Sequence, residues 1–319
     1  MSEDFPLPHR VRANGMDLAV HESGSGPPIF LLHGFPELAY SWRHQLPALA
    51  AAGYRAIAPD QRGYGGSGKP QSVAEYTVQK LIGDVLGLMQ AYGVEKCLFA
   101  GHDWGALLLW HMALSHAEKI AGMIVLNVPF YASPAEDPVH LMRKRLGDNF
   151  YIVNFQDSDE ADRRFAEDVP HFFDIMMRRN QITRARFDQM PAERKVLSLL
   201  AALDRKESRG EPLLSPAERE VFIRAFEAGG FTGPINWYRN WSRNWESYRH
   251  LPQTIGVPTL FIGAVDDVIV SLQHIEAMKP RVRDLEIQMI DDCGHWTQQE
   301  QPQRVNDLML DWLSRRFPA

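Results

Sequence analysis

The chain has 319 residues, of which 45% are hydrophobic and 23% charged, and its formal net charge is −6 at pH 7. This is the composition of an ordinary globular protein that is long enough to bury a large core. Basic residues are scattered and often stand beside acidic ones, so the sequence lacks the clustered basic surface of a nucleic-acid-binding protein. We therefore expect no nucleic-acid partner.

Cysteines and apolar runs bear on where the protein resides. Cys97 and Cys293 are the two cysteines, too few to indicate a disulfide scaffold in a chain of this length. We expect Cys97 to be a buried strand residue, and the reactivity of Cys293 stays open. The first ten residues are acidic and proline-containing, unlike a signal peptide, and the longest apolar runs are too short to cross a bilayer. We expect a cytoplasmic protein with no membrane partner.

The first part of the chain alternates strand-like and helix-like segments. Short continuous apolar runs are typical of buried strands, and apolar residues at every third or fourth position are typical of a helix. Such alternation indicates an α/β fold with a parallel sheet. The predicted strands here are residues 16–23, 28–34, 54–60, 96–102 and 120–129, and the predicted helices are residues 77–93 and, at the end of the chain, 303–317.

The pattern changes after residue 130. Residues 131–250 are rich in helical patterns and aromatic residues and contain no convincing buried strand. Strand-like runs return at residues 257–267 and 284–292. We interpret the chain as one α/β core domain, residues 1–130 and 251–319, interrupted by a helical insertion.

A glycine-rich segment, GYGGSG at residues 63–68, matches the spacing of a dinucleotide-binding loop. Such a loop must open directly into a helix whose N-terminus meets the pyrophosphate. Here Lys69 and Pro70 follow, and the next helical pattern starts near Thr77. We therefore expect a tight loop and no cofactor.

The segment GHDWG, residues 101–105, has the G-x-nucleophile-x-G spacing of a sharp strand-to-helix turn that raises a nucleophile above a sheet. Its central residue is Asp103, where this turn usually carries serine. By itself, an aspartate between glycines is equally typical of an ordinary turn. The question is which chemistry requires a carboxylate at this position.

Other ionisable residues also follow predicted strands. His33 follows an early strand, the pair Asp266 and Asp267 follows a later one, and His295 follows the last. Nucleophile, acid and histidine in this order are typical of hydrolases with an α/β sheet, and ligands bind at the carboxyl ends of such strands. Singly, each residue is as typical of a structural hydrogen bond or a helix cap. The histidines lack metal-ligand spacing, so we expect no metal.

Together these motifs resemble an α/β-hydrolase-fold epoxide hydrolase of the soluble type, over nearly the whole chain. The resemblance implies a mostly parallel central sheet flanked by helices, with a helical cap (residues 131–250) inserted after the sixth strand. It implies a small epoxide and water as substrates. The segments that carry the resemblance are HGFPE (33–37), DQRGYGGSGKP (60–70), GHDWGA (101–106), FTGPINWYRNW (231–241), VDDVIV (265–270) and CGHWTQQEQP (293–302).

A carboxylate nucleophile suits a saturated carbon, such as that of an epoxide or an alkyl halide. A serine would form an ether, which has no carbonyl for water to attack. Asp103 would instead form an ester, and water activated by His295 would then attack its carbonyl carbon. Covalent catalysis divides one difficult displacement into two easier steps, and the second step needs donors for an oxyanion.

The resemblance implies that the backbone N–H groups of Phe35 and Trp104 form this oxyanion hole, and that Phe35–Pro36 is a cis peptide. It also implies the residues that bind substrate, which are His33, Pro36, Trp104 and Trp296.

Two tyrosines are implied as donors to the epoxide oxygen. The motif PINWYRN places the first at Tyr238, and a looser match of NFYIVNFQD, residues 149–157, places the second at Tyr151. The residues Tyr238, Trp241, Trp245 and Tyr248 have the spacing of one helical face. By itself that stripe is more typical of aromatic packing than of a catalytic group.

An acid must fix the tautomer of His295 and stabilise its protonated form. The match of VDDVIV to the family's motif favours Asp267, with Asp266 as the alternative. Some relatives carry this acid after an earlier strand, where this chain has Asn127, an amide that cannot carry the charge.

Two alternative functions stay open. A haloalkane dehalogenase shares the GHDWG motif, but it needs N–H donors around the halide, and Phe35 stands where a second donor is expected. A non-catalytic ligand-binding protein on this scaffold is the other, although it would not need the nucleophile, the histidine, the acid and two tyrosines. An apolar epoxide fits the aromatic insertion. A monomer and a homodimer are both compatible with the sequence.

Overall fold

The computed structural model describes residues 5–205 and 207–319. The strands within these ranges are β1 His9–Ala13, β2 Met16–Ser23, β3 Pro28–Leu32, β4 Arg55–Pro59, β5 Cys97–His102, β6 Ile120–Leu126, β7 Arg178–Arg179, β8 Glu211–Pro212, β9 Thr259–Ala264 and β10 Leu285–Ile290. The α-helices are α1 Gln45–Ala51, α2 Val78–Ala91, α3 Trp104–Ser115, α4 Pro138–Leu146, α5 Tyr151–Asp157, α6 Glu160–Glu167, α7 Val169–Met176, α8 Arg184–Asp188, α9 Leu199–Leu203, α10 Pro216–Gly229, α11 Thr232–Arg239, α12 Trp241–Tyr248, α13 Leu272–Met278, α14 Thr297–Glu300 and α15 Pro302–Arg316.

Within the described chain, eight strands form one sheet in the order β1-β2-β4-β3-β5-β6-β9-β10. The strands pair in parallel from β4 to β10, and β2 runs antiparallel to both of its neighbours. Strands β5 and β9 are buried along their whole length, which is the pattern of a sheet covered by helices on both faces. The predicted α/β fold, its mostly parallel sheet and the strands predicted from continuous apolar runs are confirmed.

The edge strand β1 was not predicted. Its sequence HRVRA alternates polar and apolar residues over only five positions and is largely exposed. Its pairing with β2 supplies a partner that no local pattern indicates. Edge strands carry charged residues that discourage pairing with further strands. Because of these charged residues, a search for apolar runs does not detect such strands.

The helices α4 to α12 and the exposed two-residue pair β7–β8 lie between β6 and β9 in the chain. They pack onto the sheet domain through buried hydrogen bonds. The indole N–H of Trp237 donates to the backbone carbonyl of Arg62 over 3.0 Å, and the N–H of Val78 donates to the side-chain oxygen of Asn244 over 2.9 Å. No described helix is long and apolar enough to cross a membrane.

The aromatic stripe predicted on one helical face is divided between two helices. Tyr238 lies on α11, whereas Trp241, Trp245 and Tyr248 lie on α12. The break is at Asn240, whose side-chain amide donates to the carbonyl of Asn236 and, from the same nitrogen, to that of Val73. An asparagine side chain that binds backbone carbonyls competes with the regular hydrogen bonds of a helix. The prediction that the four aromatic residues lie on one face of a single helix was therefore wrong.

The glycine-rich loop at residues 63–68 folds around Asp60. One carboxylate oxygen accepts from the N–H of Gly66 over 2.9 Å, and the other accepts from the N–H of Ala39 over 3.0 Å. Gly65 has a positive φ, and a Cβ there would lie 2.0 Å from the Asp60 carboxylate. The loop is therefore as tight as predicted, and its glycines make room for a buried acid.

A buried ion pair beside this loop yields a stability prediction. Arg62 binds both carboxylate oxygens of Asp84 over 2.7 and 2.6 Å, and the two residues are 2% and 5% exposed. Replacing Arg62 by methionine removes the buried cation and leaves the Asp84 carboxylate with the side-chain amide of Asn14. We therefore expect urea denaturation to show a loss of about 3–5 kcal/mol in the free energy of unfolding. The exposed pair Arg12–Asp17 is the control, because Arg12→Met should cost less than about 1 kcal/mol. Equal losses in the two variants would contradict this account.

Candidate active site

The nucleophile position lies at the turn between β5 and α3. Asp103 has φ +51° and ψ −117°, a strained conformation for a residue with a side chain. The turn brings α3 against the neighbouring strand, and a Cβ on Gly105 would lie 2.0 Å from the carbonyl oxygen of Leu32. Glycine is therefore required there, and the resulting sharp turn raises the Asp103 side chain above the carboxyl end of the sheet.

The chain after β3 supplies a donor to this carboxylate. The backbone N–H of Phe35 donates to Oδ1 of Asp103 over 2.8 Å, and a Cβ on Gly34 would lie 2.2 Å from the same oxygen. The Phe35–Pro36 peptide is cis, as the resemblance implied. Trp104 is the first residue of α3, where backbone N–H groups have no partner within the helix.

His295 lies between two carboxylates. Its Nδ1 is 2.9 Å from Oδ2 of Asp267, and its Nε2 is 3.7 Å from Oδ2 of Asp103. Burial by itself lowers the pKa of His295, but the two negative charges outweigh it and hold that pKa well above its ordinary value. The charge of Asp103 therefore helps to determine when His295 carries a proton.

Asp267 is 2% exposed, and its carboxylate accepts three hydrogen bonds. Besides His295, its donors are the side-chain amide of Asn127 over 2.7 Å and the N–H of Ile269 over 2.9 Å. Burial raises the pKa of Asp267, and these partners more than compensate, so the pKa lies below its ordinary value. Asn127, noted in the sequence as an amide that cannot be the acid, thus binds the acid, and its oxygen accepts from the hydroxyl of Thr297 over 2.7 Å.

The alternative acid, Asp266, faces elsewhere. Its Oδ1 accepts from the backbone N–H of Arg184, over 2.6 Å, at the start of α8. The structure therefore brings Asp267, and not Asp266, to His295. The two adjacent side chains point in different directions at this turn, and the one that meets the histidine is the one that the match of VDDVIV favours.

The two predicted tyrosines meet above the nucleophile. Their ring centroids are 5.7 Å apart, and that of Tyr238 is 5.5 Å from that of Phe35. Burial and then the charge of Asp103 raise the pKa of both hydroxyls well above the ordinary value, so both keep their protons at neutral pH. The side chain of Gln156 donates to the carbonyl of Tyr238 over 2.9 Å and so fixes α5, which begins with Tyr151, against α11.

A cavity of about 410 Å³ joins these groups. The catalytic candidates that line it are Asp103, His295, Asp267, Tyr151 and Tyr238. The apolar residues of its wall include Phe35, Ile175, Met176, Phe187, Met190 and Leu199. The arginines that line it are Arg178, Arg179, Arg194, Arg205 and Arg209. The cavity therefore combines an apolar wall with charge contributed by the inserted segment.

The predicted substrate-binding residues are placed differently from one another. Trp296 lines the cavity and donates its indole N–H to the carbonyl of Met176 over 2.9 Å. His33, Pro36 and Trp104 are buried and are not part of its described lining. Both ring nitrogens of His33 bind backbone: Nε2 accepts from the N–H of Gln61 over 3.0 Å, and Nδ1 donates to Gly34 over 2.9 Å. The ring of Trp104 packs against that of Tyr238, with centroids 5.1 Å apart. Substrate binding by these three residues stays a prediction.

A buried network beneath the nucleophile was missed. The carboxylate of Glu37 lies 2.7 Å from Nδ1 of His102, and Nε2 of His102 lies 2.7 Å from the backbone carbonyl of His295. Both ring nitrogens of His102 therefore lie within hydrogen-bond distance of an oxygen. Burial raises the pKa of Glu37, but His102 and the N–H of Gly34 lower it to about 2. Glu37 and His102 stand within the motifs HGFPE and GHDWGA, but neither motif indicates that they pair.

A second carboxylate holds the loop of His295. The oxygens of Glu300 accept from the N–H groups of Gly294 and Trp296, over 2.9 and 3.0 Å. Cys293, on the same loop, is buried, and burial raises the pKa of its thiol, so it is not a reactive thiolate. Across residues 5–205 and 207–319, no group of three or more His, Cys, Asp or Glu side chains is arranged to hold a metal ion.

Comparison with known proteins gives consistent results. Residues 27–302 match the α/β hydrolase fold family. The chain is 40% identical to epoxide hydrolase A of Mycobacterium tuberculosis, over 97% of this chain and 98% of that protein. The crystal structure of epoxide hydrolase A from Mycobacterium thermoresistibile is similar, with a TM-score of 0.88 and 36% identity over 97% of this chain and 98% of that one. Epoxide hydrolase VrEH1 from Vigna radiata has a TM-score of 0.84 and 32% identity over 99% of both chains.

The position of His295 between two carboxylates predicts how its pKa responds to mutation. Asp103→Asn removes one of the negative charges that raise this pKa, so we expect the imidazole of His295 to titrate at lower pH than in the wild type. The NMR signals of its ring, followed against pH, measure the shift. Asp307→Asn, which neutralises an exposed carboxylate on α15, is the control and should leave the titration near the wild-type pH. A His295 pKa that does not fall in Asp103→Asn would contradict the electrostatic account.

Proposed function

The chain belongs to the α/β hydrolase fold family and is an epoxide hydrolase, and we propose that it converts an apolar epoxide into a vicinal diol through an ester on Asp103. The observation that carries this proposal is the shared cavity, which Asp103, His295 and the two tyrosines line together with an apolar wall. A nucleophile, a base and two acids are the groups that the two-step reaction requires.

The two oxygens of Asp103 have different roles in this proposal. Oδ1 is held by the N–H of Phe35, whereas Oδ2 lies on the side of His295. Oδ2 attacks an epoxide carbon, the ring C–O bond breaks, and the electron pair passes to the epoxide oxygen. Oδ1 becomes the carbonyl oxygen of the ester and already has a donor in place.

The hydroxyls of Tyr238 and Tyr151 receive the epoxide oxygen. Both keep their protons at neutral pH, because burial and the charge of Asp103 raise their pKa values. Ester formation removes that charge, so both phenols become stronger acids as the alkoxide appears. The tyrosine hydroxyls therefore become stronger proton donors in the ring-opening step, in which the epoxide oxygen needs a proton.

Hydrolysis of the ester regenerates the carboxylate. His295 takes a proton from water, the oxygen of that water adds to the Asp103 carbonyl carbon, and the oxyanion forms on Oδ1. The N–H groups of Phe35 and Trp104 stabilise it. The tetrahedral intermediate then releases the diol, whose alkoxide is protonated by His295. The proton of the resulting Asp103 carboxyl group passes to the tyrosinate left by the first step, which restores the carboxylate and the tyrosine hydroxyl. Loss of the Asp103 charge in the ester lowers the pKa of His295 and favours the neutral ring that acts as the base.

We also propose that residues 131–250 act as a cap on the core domain formed by residues 1–130 and 251–319. Both tyrosines belong to this segment, and its aromatic side chains pack directly over the nucleophile. The ring centroid of Tyr238 is 5.1 Å from that of Trp104, beside Asp103. A cap of this kind excludes bulk water, which strengthens the electrostatic interactions inside the site.

An alkyl halide is a less suitable substrate for this site. A halide ion leaves without a proton, so two tyrosine hydroxyls would have no chemical task. Phe35 contributes a phenyl ring to the cavity and not a second side-chain N–H. These features favour an epoxide over a halide as the electrophile.

A variant without the base tests both the reaction and the intermediate. In His295→Gln we expect an aliphatic or aryl epoxide to add its own mass to the peptide that contains Asp103, while diol release falls by roughly a thousandfold or more. Mass spectrometry of the digested protein detects the ester. Wild type should release no halide from a matched 1-chloroalkane, and Asp103→Asn should gain no mass. Halide release without diol formation would instead identify a dehalogenase.

The tyrosines are tested by removing their hydroxyls. Tyr238→Phe and Tyr151→Phe should each slow ester formation, and the double variant should slow it by roughly a hundredfold or more, because general acid catalysis contributes about that much. Rapid-quench measurement of the ester gives this rate separately from hydrolysis. Tyr248→Phe, on the neighbouring helix α12, is the control. Unchanged ester formation in the double variant would show that the proton comes from elsewhere.

A further inference from the structure

Arg184 connects the inserted segment to the loop that carries Asp267. It is the first residue of α8, and we call residues 265–270, which follow β9, the acid loop. Its Nη2 donates to the carbonyl oxygens of Asp267 and Val270, and its Nε donates to that of Val265 over 3.4 Å. One guanidinium thus binds the main chain of the acid loop at three points.

These contacts are not those of an ordinary surface arginine. The Arg184 side chain is 13% exposed. Among the described residues, the carboxylate nearest to its guanidinium is that of Asp188, which is 4.0 Å away and 61% exposed. Within the described residues the guanidinium is therefore held by backbone carbonyls and not by an acid. An arginine offers five N–H donors in a rigid plane, which suits it to bind several carbonyls of one loop.

The connection is reinforced by the main chain of α8. The N–H of Arg184 donates to the carboxylate of Asp266 over 2.6 Å, so the side chain and the backbone of one residue bind the same loop. Asp267 in turn holds its carboxylate 2.9 Å from His295. The acid loop is therefore fixed from two sides, by His295 and Asn127 at the carboxylate and by Arg184 at the main chain.

The same helix forms part of the cavity wall. Thr183 and Phe187, on either side of Arg184, both line the cavity. A ligand that displaces α8 therefore also displaces the donor that holds the acid loop. A shift of the reacting groups by about 1 Å can cost a hundredfold in rate, so small movements of this helix matter for catalysis.

We propose that Arg184 is a positioning residue that couples the cavity wall to the acid, so that Asp267 is held against His295 only while α8 is seated on the acid loop. This inference rests on the proposed function, because it assigns Arg184 a part in the step that uses His295 as a base. Ester formation needs only Asp103 and the tyrosines, whereas hydrolysis needs the oriented histidine. Loss of Arg184 therefore affects the second step more than the first.

Arg184→Met removes every side-chain donor and retains an unbranched apolar stem. We expect it to slow hydrolysis of the Asp103 ester roughly tenfold to a hundredfold, with much less effect on ester formation, so that ester accumulates in single-turnover experiments. Arg186→Met is the matched control, because Arg186 is exposed on the same helix. It should hydrolyse the ester at the wild-type rate.

A second readout needs no substrate. NMR titration of the His295 ring should show a lower pKa in Arg184→Met than in the wild type or Arg186→Met, because a loosened Asp267 stabilises the imidazolium less. If the protein hydrolyses no epoxide, the proposed function is refuted. The NMR titration of His295 still tests the role of Arg184 in that case. Arg184→Lys carries its donors on a single nitrogen and should have an intermediate effect on both readouts.

The outcomes are decisive in either direction. Slower ester hydrolysis together with a lower pKa of His295 supports the coupling. A change confined to KM would mean that Arg184 only shapes the cavity wall, and it would overturn the proposal. If Arg184→Met does not fold, Arg184→Lys decides, and an unchanged pKa of His295 with an unchanged hydrolysis rate in that variant overturns the proposal as well.

Discussion

The placement of His295 between two carboxylates, of which Asp267 is buried and Asp103 half-buried, is the constraint on which the rest of the site depends. Ionised groups are costly to remove from water unless charge and hydrogen bonds compensate them. Here Asp267 is compensated by Asn127, by a backbone N–H and by His295, while Asp103 is bound by the N–H of Phe35. Each compensating group comes from a different part of the chain, so the sheet must bring the ends of several strands together before the site can hold its charges.

The polar side chains beneath the site hold in place the loops that carry the reacting residues, and not the reacting atoms themselves. Glu37 and His102 join the chain after β3 to the nucleophile turn and, through the carbonyl of His295, to the loop after β10. Glu300 accepts from the backbone on both sides of His295. A catalytic group needs its rotamer and its loop fixed by a supporting layer. Of this layer, Glu37 and His102 are fully buried, so their polar groups are satisfied only when the loops that they join are correctly placed.

The inserted helices complete the site from above. They contribute the two tyrosines and much of the cavity wall, and Arg184 connects that wall to the main chain of Asp267. The electrostatics of the two halves are also linked, because the charge of Asp103 raises the pKa of His295 below and those of Tyr151 and Tyr238 above. Formation of an ester would remove that charge from all three groups at once. In the proposed reaction, the Asp103 carboxylate is both the nucleophile and the charge that raises the pKa values of its partners.

Sequence alone determined the features that depend on local spacing. Continuous apolar runs fixed the buried strands, and the glycines around Asp103 fixed the turn that raises it. The resemblance of VDDVIV favoured Asp267, but local spacing by itself left Asp266 open. Local spacing also did not indicate that both ring nitrogens of His33 bind backbone, or that Asn240 divides the aromatic stripe between two helices. Nor did it reveal Glu37 with His102, or Arg184 on the acid loop. Each of these depends on partners that are distant in the chain, and only packing of the sheet, its loops and the inserted helices decides which distant polar groups must satisfy one another.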